Sequence, residues 1–174
     1  MHYSVLETID ILSRTPATLG ALIDGLPETW LVKDEGDGTF SPRDVVGHLI
    51  LGEKTDWVPR IDFILRCGQE EAFVPFDRID FREANIGCST SELLEEFASI
   101  RALNLAHVQG LSLTATQMAL TGRHPDLGVV TLGELFATWV VHDYSHIGQV
   151  VRVLSKQFTD AVGPWKAYFG ILNR

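Results

Sequence analysis

Apolar residues recur at steps of three and four along four long segments of the chain, which is the spacing of amphipathic helices. The segments cover residues 3–26, 41–67, 89–109 and 131–155, and glycine or proline residues separate them. We find no stretch in which apolar and polar residues alternate over the length of a strand. The pattern therefore predicts an all-α fold, a four-helix bundle whose helices lie about 20° from parallel around a common core.

Local signals mark where these helices begin and bend. The Ser-Pro pair at 41–42 is typical of a helix start, because serine caps the first free N–H groups and proline lacks an N–H that would have no partner. Capping boxes at 89–92 and 131–134 predict the starts of the third and fourth helices. Pro16 and Pro59 lie inside the first and second segments, so each predicts a kink or a break there.

The connections between the helices are unequal in length. Residues 68–87 and 111–130 form two long connections that predict crossovers over the bundle, and connections of this length are often functional. The C-terminal residues 156–174 contain enough apolar side chains to predict a short segment that docks on the bundle. We interpret residues 1–174 as a single domain.

The composition narrows the classes of function. The chain has 174 residues, 45% of them hydrophobic, and a net charge of −9, which suits a compact domain with a substantial core. The negative charge disfavours binding to nucleic acid or to an anionic membrane, and no apolar run is long enough to cross a bilayer. An N-terminus without the pattern of a secretory signal predicts a cytoplasmic protein. Cys67 and Cys88 lack CxxC spacing, and we interpret both as ordinary thiols.

Two histidines occupy positions of the fourth helix where a bundle normally places leucine or valine. The apolar stripe of this helix runs through His142 and His146, which are four residues apart and therefore lie on one face. A buried imidazole is unfavourable unless its ring nitrogens find partners, and a metal ion shared by both rings would be such a partner. The alternative, in which each ring bonds to a backbone carbonyl, remains open.

A third histidine, His48, lies on the inward stripe of the second helix, which also includes Gly52 and Thr55. Gly52 comes one turn after His48 and would leave space beside its ring. Three neutral imidazoles on two helices could meet at one cation and leave a coordination position open, which is typical of catalytic rather than structural sites. The sequence therefore predicts a metal site formed by His48, His142 and His146.

Carboxylates near these histidines are candidates to orient the rings, because a metal-bound imidazole usually donates its other N–H to a carboxylate or a carbonyl. The candidates are Asp143, Glu53 and Asp56. A solvated helical carboxylate is the alternative for each of them. Of the other histidines, His124 lies in a connection and is a candidate to face the substrate, whereas His2 lies at the N-terminus.

Several parts of the chain together resemble the DinB superfamily. The similar segments are 41–49, 131–135, 142–149 and 163–165. The resemblance implies a four-helix bundle, commonly dimeric, that holds one divalent metal ion by three histidines. The metal would be zinc or nickel, with iron or manganese as further options. Carried over to this sequence, the ligands are His48, His142 and His146.

The resemblance also implies an activity. The better-understood relatives are transferases or isomerases that use bacillithiol or mycothiol, so we expect a metal-dependent enzyme that transfers such a low-molecular-weight thiol to a small electrophilic molecule. A metal-dependent hydrolase of a small amide or ester is a second hypothesis, because a metal ion activates water as well as a thiol. A non-enzymatic metal-binding bundle is the third, and a site closed by a fourth protein ligand would favour it.

The expected partners are a small-molecule substrate and, from the resemblance, a second copy of the chain. Aromatic residues could cover a homodimer interface, although connections folded over the bundle would bury them equally well. These residues are Trp30, Trp57, Phe73 and Phe76.

Overall fold

The computed structural model describes residues 4–36, 38–75 and 81–173. The helices, in chain order, are α1 (Val5–Leu12), α2 (Thr15–Ile23), α3 (Glu28–Leu31), α4 (Pro42–Thr55), α5 (Trp57–Cys67), α6 (Phe81–Ala84), α7 (Thr90–Gly110), α8 (Ala115–Met118) and α9 (Leu132–Lys156). The strands are β1 (Thr121–His124) and β2 (Gly128–Thr131), and the chain ends in two 3₁₀ segments, Gly163–Tyr168 and Gly170–Leu172.

The predicted four-helix bundle is confirmed. The first bundle helix consists of α1 and α2, the second of α4 and α5, the third is α7 and the fourth is α9. Helix α4 packs on α7 and α9, and α1 and α2 each contact both α7 and α9. The four bundle helices therefore surround a common core.

The predicted helix starts are also confirmed. Ser41, Ser89 and Thr131 are the N-caps of α4, α7 and α9, and each side chain accepts a hydrogen bond from the backbone N–H three residues later. The acidic residue at that third position accepts a hydrogen bond from the N–H of the cap, which completes a capping box. These caps determine where α4 and α9, the helices that carry the three candidate ligands, begin.

Both segments that contain an internal proline are interrupted, but the second is interrupted before its proline. Pro16 is the second residue of α2, just after the break that follows α1. The second segment breaks at Asp56, three residues before Pro59. The cause is steric, because a proline ring clashes with the helical carbonyl four residues earlier, here that of Thr55. The predicted inward position of Thr55 is wrong, since this last residue of α4 is exposed.

The expectation that no strand forms is wrong for the connection at 111–130. Strands β1 and β2 pair antiparallel, with Thr121 opposite Thr131 and His124 opposite Gly128. Four-residue strands are too short to show a clear alternation, and a glycine in each of them weakens the pattern. The available signal is the Pro-Asp-Leu sequence between the strands, followed by Gly128, which has φ +77°, and by two valines.

Two apolar clusters fill the bundle, and a buried polar layer lies between them. Along α7, for example, Phe97 belongs to one cluster and Leu105 to the other, and Arg101 lies between them. Each bundle helix contributes one side chain to this layer, and each of these residues is only 1% to 3% exposed. The residues of the polar layer are Thr15, Glu53, Arg101 and Asp143.

The aromatic residues considered for a dimer interface have different positions. Trp57 and Phe73 are buried inside the chain, at 4% and 3% exposure. Trp30 packs against a phenylalanine of the C-terminal segment, with ring centroids 5.0 Å apart. Phe76 lies outside the described residues, as does His2. Two of the four aromatics are therefore part of the protomer core.

The C-terminal segment docks on the bundle as predicted, in the form of 3₁₀ turns. Leu172 is 8% exposed, and Gly170–Leu172 contacts α9. Cys67 and Cys88 are free thiols. No helix in the described part of the chain combines the length and the apolar character needed to span a lipid bilayer.

Candidate metal centre

Three histidines meet between α4 and α9. His48 lies on α4, and His142 and His146 lie one turn apart on α9. The three pairs of ring centroids are separated by 5.2, 4.7 and 4.5 Å, and Nε2 of His48 lies 3.1 Å from Nε2 of His142. One nitrogen of each ring lies within 4.8 Å of those of the other two. Within residues 4–36, 38–75 and 81–173, this is the group of His, Cys, Asp or Glu side chains that could hold a metal ion.

Neighbouring side chains restrict the histidine rings. Nδ1 of His146 donates to Oε1 of Gln149 at 2.9 Å, which leaves the Nε2 of the neutral ring without a proton. Phe40 stacks on His146, with ring centroids 6.2 Å apart and an interplanar angle of 16°. Trp57 meets the ring of His142 edge-on at a centroid distance of 5.1 Å. The ring orientations are therefore determined by packing as well as by hydrogen bonds.

Burial favours the neutral form of two of these imidazoles, those of His142 and His146. Loss of hydration, together with the nearby rings of His146 and His48, lowers the pKa of His142 to about 3. Burial also lowers the pKa of His146, although the hydrogen bond with Gln149 opposes this shift. The neutral imidazole is the form that coordinates a metal ion.

The unsatisfied polar atoms of this cluster fit a divalent transition metal. Nδ1 of His142 is buried and has no hydrogen-bond partner among the described residues, and its Nε2 faces the Nε2 of His48. A shared cation would accept the lone pairs of both Nε2 atoms, as it would that of His146, whose proton is on Nδ1. Imidazole nitrogen suits zinc, nickel, copper and iron. The donor set therefore fits the predicted metal.

A cavity of about 720 Å³ reaches the histidine cluster, because His48 and His142 form part of its wall. Cavities of this size hold small molecules, which bind there mainly by apolar contact. The rest of the wall includes four aromatic side chains, Phe40, Trp57, Phe73 and Phe81. The cluster therefore faces a space that a substrate can enter.

The structure places two of the predicted ring-orienting carboxylates in the polar layer. Asp143 accepts hydrogen bonds from Arg101 and from the hydroxyl of Thr15, each at 2.6 Å. Glu53 accepts from Arg101 at 2.8 Å and from the indole N–H of Trp139 at 3.2 Å. Burial raises the pKa of Glu53, and the charge of Arg101 opposes the rise. These hydrogen bonds connect different helices of the bundle. None of them involves His142.

Asp56, the third predicted carboxylate, lies in the wall of the cavity together with His124. Its Oδ1 accepts from Nε of Arg60 at 2.7 Å; burial raises its pKa, and Arg60 opposes the rise. The space expected beside Gly52 is occupied by Trp57, whose Nε1 would lie 3.2 Å from a Cβ at this position. Gly52 therefore accommodates an indole that in turn packs on the histidine cluster.

The sequence reasoning assigned no role at the metal centre to two residues that the structure places around it. Arg101 occupies the middle of an apolar i, i+4 series that runs from Phe97 to Leu105, and a charge at such a position signals a buried ionic network. Gln149 follows His146 by three residues, which places both on one face of the helix. The spacing was visible in the sequence, but the contacts of these side chains were not.

The fold and the site together define a class of protein: a four-helix bundle with a candidate mononuclear metal centre, formed by histidines of two helices at the wall of a cavity. Comparison with known families agrees with this class. The chain belongs to the DinB superfamily, whose sequence profile matches residues 11–150. The matched range includes all three histidines, and the predicted family membership is confirmed.

A solved structure shows the same fold. The chain is similar to YfiT from Bacillus subtilis, with a TM-score of 0.74, 21% sequence identity and coverage of 90% of each chain. That protein is described as a probable metal-dependent hydrolase with an unusual four-helix bundle topology. A search of curated proteins found no significant match.

Proposed function

We propose that this protein is a metal-dependent enzyme in which His48, His142 and His146 hold one divalent transition metal ion beside a substrate cavity. The observation that carries the proposal is the convergence of three imidazoles at the wall of a cavity of about 720 Å³. When bound, a metal ion of this kind supplies a nucleophile, from water or a thiol, that is deprotonated near neutral pH.

Hydrolysis of a small amide or ester is the reaction that we favour. The solved structure with the same fold, YfiT, is described as a probable metal-dependent hydrolase. Water needs no binding groups of its own, and the aromatic wall of the cavity suits a substrate with an apolar body.

The residues around the histidines have defined roles in this proposal. Gln149 holds the proton of His146 on Nδ1 and so directs Nε2 to the ion. Phe40 and Trp57 pack against the rings and exclude water from them. The polar layer links α4 to α9 through Arg101 and so fixes the distance between the ligands on the two helices.

Transfer of a low-molecular-weight thiol is a second candidate, and the volume of the cavity supports it. About 720 Å³ is enough for a thiol beside a small electrophile, since pockets for drug-sized ligands start at roughly 300 Å³. Neither Cys67 nor Cys88 lines the cavity, so the thiol would be a separate molecule.

The openness of the site supports an enzyme over a non-enzymatic metal-binding bundle. Structural zinc sites are closed by four protein ligands, whereas catalytic sites keep a position for water or substrate. Among the described residues, the metal-binding group has three members, and two of them face the cavity.

The metal is tested on the protein as purified. We expect elemental mass spectrometry to find about one equivalent of divalent transition metal per chain. The His142→Ala variant should lose most of this metal. His107→Ala is the matched control, because His107 is exposed and bonds to Asp62 away from the cluster. Metal-free native protein with full helicity and stability would contradict the proposal.

The reaction is tested by adding or omitting a thiol. The metal-loaded protein is incubated with 4-nitrophenyl butyrate alone, and with 1-chloro-2,4-dinitrobenzene in the presence or absence of cysteine. Release of nitrophenol without thiol, abolished in His142→Ala, supports hydrolysis. Conjugation of cysteine that the metal-loaded protein accelerates well beyond the rate with His142→Ala, without release of nitrophenol from the ester, supports transfer and rules against hydrolysis as the main reaction. Equal rates in the His142→Ala variant would exclude both.

A further inference from the structure

The cavity has a second polar end, away from the histidine cluster. Asp56, Arg60 and His124 all line it. Asp56 follows His48 by eight residues, which at about 1.5 Å per helical residue places the two positions roughly 12 Å apart along the chain. Most of the other side chains of the wall are apolar, both aromatic and aliphatic. A ligand that fills the cavity therefore meets two different polar groups of the protein, one at each end.

Arg60 is held in place by contacts that leave part of its guanidinium without a partner among the described residues. Its Nε donates to Oδ1 of Asp56 at 2.7 Å, and its guanidinium carbon lies 5.3 Å from the centroid of the Phe73 ring. The side chains of Arg60 and Asp56 are only 12% and 13% exposed. Among the described residues we find no hydrogen-bond partner for the two terminal amino groups of Arg60. These groups can donate to a ligand without breaking the pair with Asp56.

His124 offers a further donor, because hydrogen bonds within the hairpin fix the tautomer of its ring. Its Nδ1 accepts hydrogen bonds from the backbone N–H groups of Asp126 and Leu127, at 3.1 and 3.2 Å. A ring nitrogen that accepts cannot carry the proton, so the neutral ring carries it on Nε2. No partner for this Nε2–H is found in the part of the chain that the structure describes, and His124 lies in the cavity wall.

The other charged residues of the cavity wall are committed to the protein itself. Arg82 donates to the carboxylate of Asp44 and to the carbonyl of Thr39. Glu134 accepts from the backbone and hydroxyl of Thr131 as part of a helix cap. Of the charged and histidine side chains that the structure describes at the second polar end, Arg60 and His124 therefore have donors available to a ligand.

We propose that Arg60 and His124 form a subsite for the carboxylate of a small substrate with an apolar body, whose reactive group lies at the histidine end of the cavity. The paired N–H donors of a guanidinium match the two oxygens of a carboxylate, and the Nε2–H of His124 adds a third donor. Asp56 orients Arg60 and balances its charge. Because the pair has no net charge, the ligand is selected by the direction of the hydrogen bonds that it accepts. This inference deepens the proposed function, on which the position of the reactive group rests.

The test compares a carboxylate with its neutral amide. Binding of 4-phenylbutyrate and of 4-phenylbutanamide is measured by isothermal titration calorimetry, on the full chain as purified and after treatment with a chelator. We expect the carboxylate to bind about tenfold more tightly in both forms, as charge-assisted hydrogen bonds provide. Arg60→Gln should abolish this preference, and Arg66→Gln, an exposed arginine on the same helix, should retain it.

A second variant tests the other donor. His124→Asn keeps an acceptor for the two backbone N–H groups of the turn but lacks the Nε2–H donor, so it should weaken carboxylate binding several-fold without unfolding the hairpin. Circular dichroism checks that both variants fold.

Three results would overturn the inference. The first is equal affinity for acid and amide in the unmodified protein, and the second is a preference that survives in both Arg60→Gln and His124→Asn. The third is a preference that disappears with the metal but not with Arg60→Gln, because the metal would then be the carboxylate ligand. If the protein is not a metal-dependent enzyme, the affinities measured after chelator treatment are unaffected. Failure of the proposed function can therefore be told apart from failure of the proposed subsite.

Discussion

Arg101 donates to both carboxylate oxygens of Asp143, at 2.6 and 3.1 Å, although both side chains are almost fully buried. The same guanidinium reaches Glu53 at 2.8 Å and the carbonyl of Leu12 at 2.9 Å. It thus joins the first, second and fourth bundle helices to the third. The histidines lie on two of the helices that Arg101 connects, so the candidate metal centre depends on this contact for its shape.

Replacing Arg101 with methionine should destabilise the protein by about 3–5 kcal/mol, because Glu53 and Asp143 would remain buried without a counter-charge. Urea unfolding followed by circular dichroism measures the change. Arg14→Met is the matched control, since the ion pair of Arg14 with Asp10 is exposed and should contribute less than about 1 kcal/mol. Equal stability of the two variants would show that the polar layer does not depend on its central charge.

Replacing Gln149 with leucine should weaken metal binding about 10- to 100-fold, because the ring of His146 loses the acceptor that holds its Nδ1 proton. Competition with a chromogenic chelator measures the affinity. Gln109→Leu changes an exposed glutamine of α7 and should leave metal affinity unchanged. If Gln149→Leu binds metal as tightly as the unmodified protein, Gln149 has no role in orienting the ligand.

Replacing Glu35 with glutamine should change how stability depends on pH. Hydrogen bonds from Arg152, and the charge of Lys156, lower the pKa of Glu35 from 4.5 to about 2. Since the folded state has the lower pKa, the ionised carboxylate contributes stability above pH 4.5, and this contribution is lost as the pH falls towards 2. Glu35→Gln should therefore be less stable by about 1–2 kcal/mol at pH 7, and the difference should shrink in acid.

Thermal unfolding of both proteins between pH 2.5 and pH 7 tests this expectation. Glu96→Gln provides a comparison, because Glu96 pairs with Lys54 on the exposed surface and should show little difference at any pH. A constant difference between Glu35→Gln and the unmodified protein across the whole range would contradict the assigned pKa shift.

Replacing Gly122 with alanine should cost about 1–3 kcal/mol, because a Cβ there would lie 2.7 Å from Ile64 and 2.8 Å from Phe73, both in the buried core. Chemical denaturation measures the cost. Gly20→Ala is the control, since a Cβ at this position in α2 has no neighbour within 4 Å and alanine favours a helix. A Gly122→Ala variant as stable as Gly20→Ala would mean that the hairpin does not pack tightly on α5.

The features that were predictable from the sequence are those with a local cause. The caps at Ser41, Ser89 and Thr131 depend on residues three positions apart, and the structure has all three. The break near Pro59 was predicted, but its position was not, because the clash acts on the carbonyl of Thr55 four residues earlier. The hairpin was missed because its strands have only four residues and because part of its support is tertiary: the carbonyl of Arg123 accepts from the N–H of Phe73, in another connection.

The candidate site also has features with a local cause, which the sequence predicted, and features that depend on tertiary packing, which it did not. Helical spacing was sufficient to place His142 and His146 on one face of α9 and His48 on the inward side of α4. Spacing could not show which polar neighbour pairs with which group. Asp143, adjacent to His142, accepts from Arg101, and the hydrogen bond that Nδ1 of His146 donates is accepted by Gln149.

The sequence by itself determined the four helices, their starts and the residue types of a histidine cluster, because periodicity and capping act within a few residues of the chain. Only the tertiary structure decided that the cluster faces a cavity, that a buried ionic layer lies between two apolar clusters, and that Arg60 and His124 line the same cavity as the histidines. The physical reason is that these contacts join residues far apart in the chain, as in the 42 residues between Arg101 and Asp143. Their partners are determined by how the helices pack.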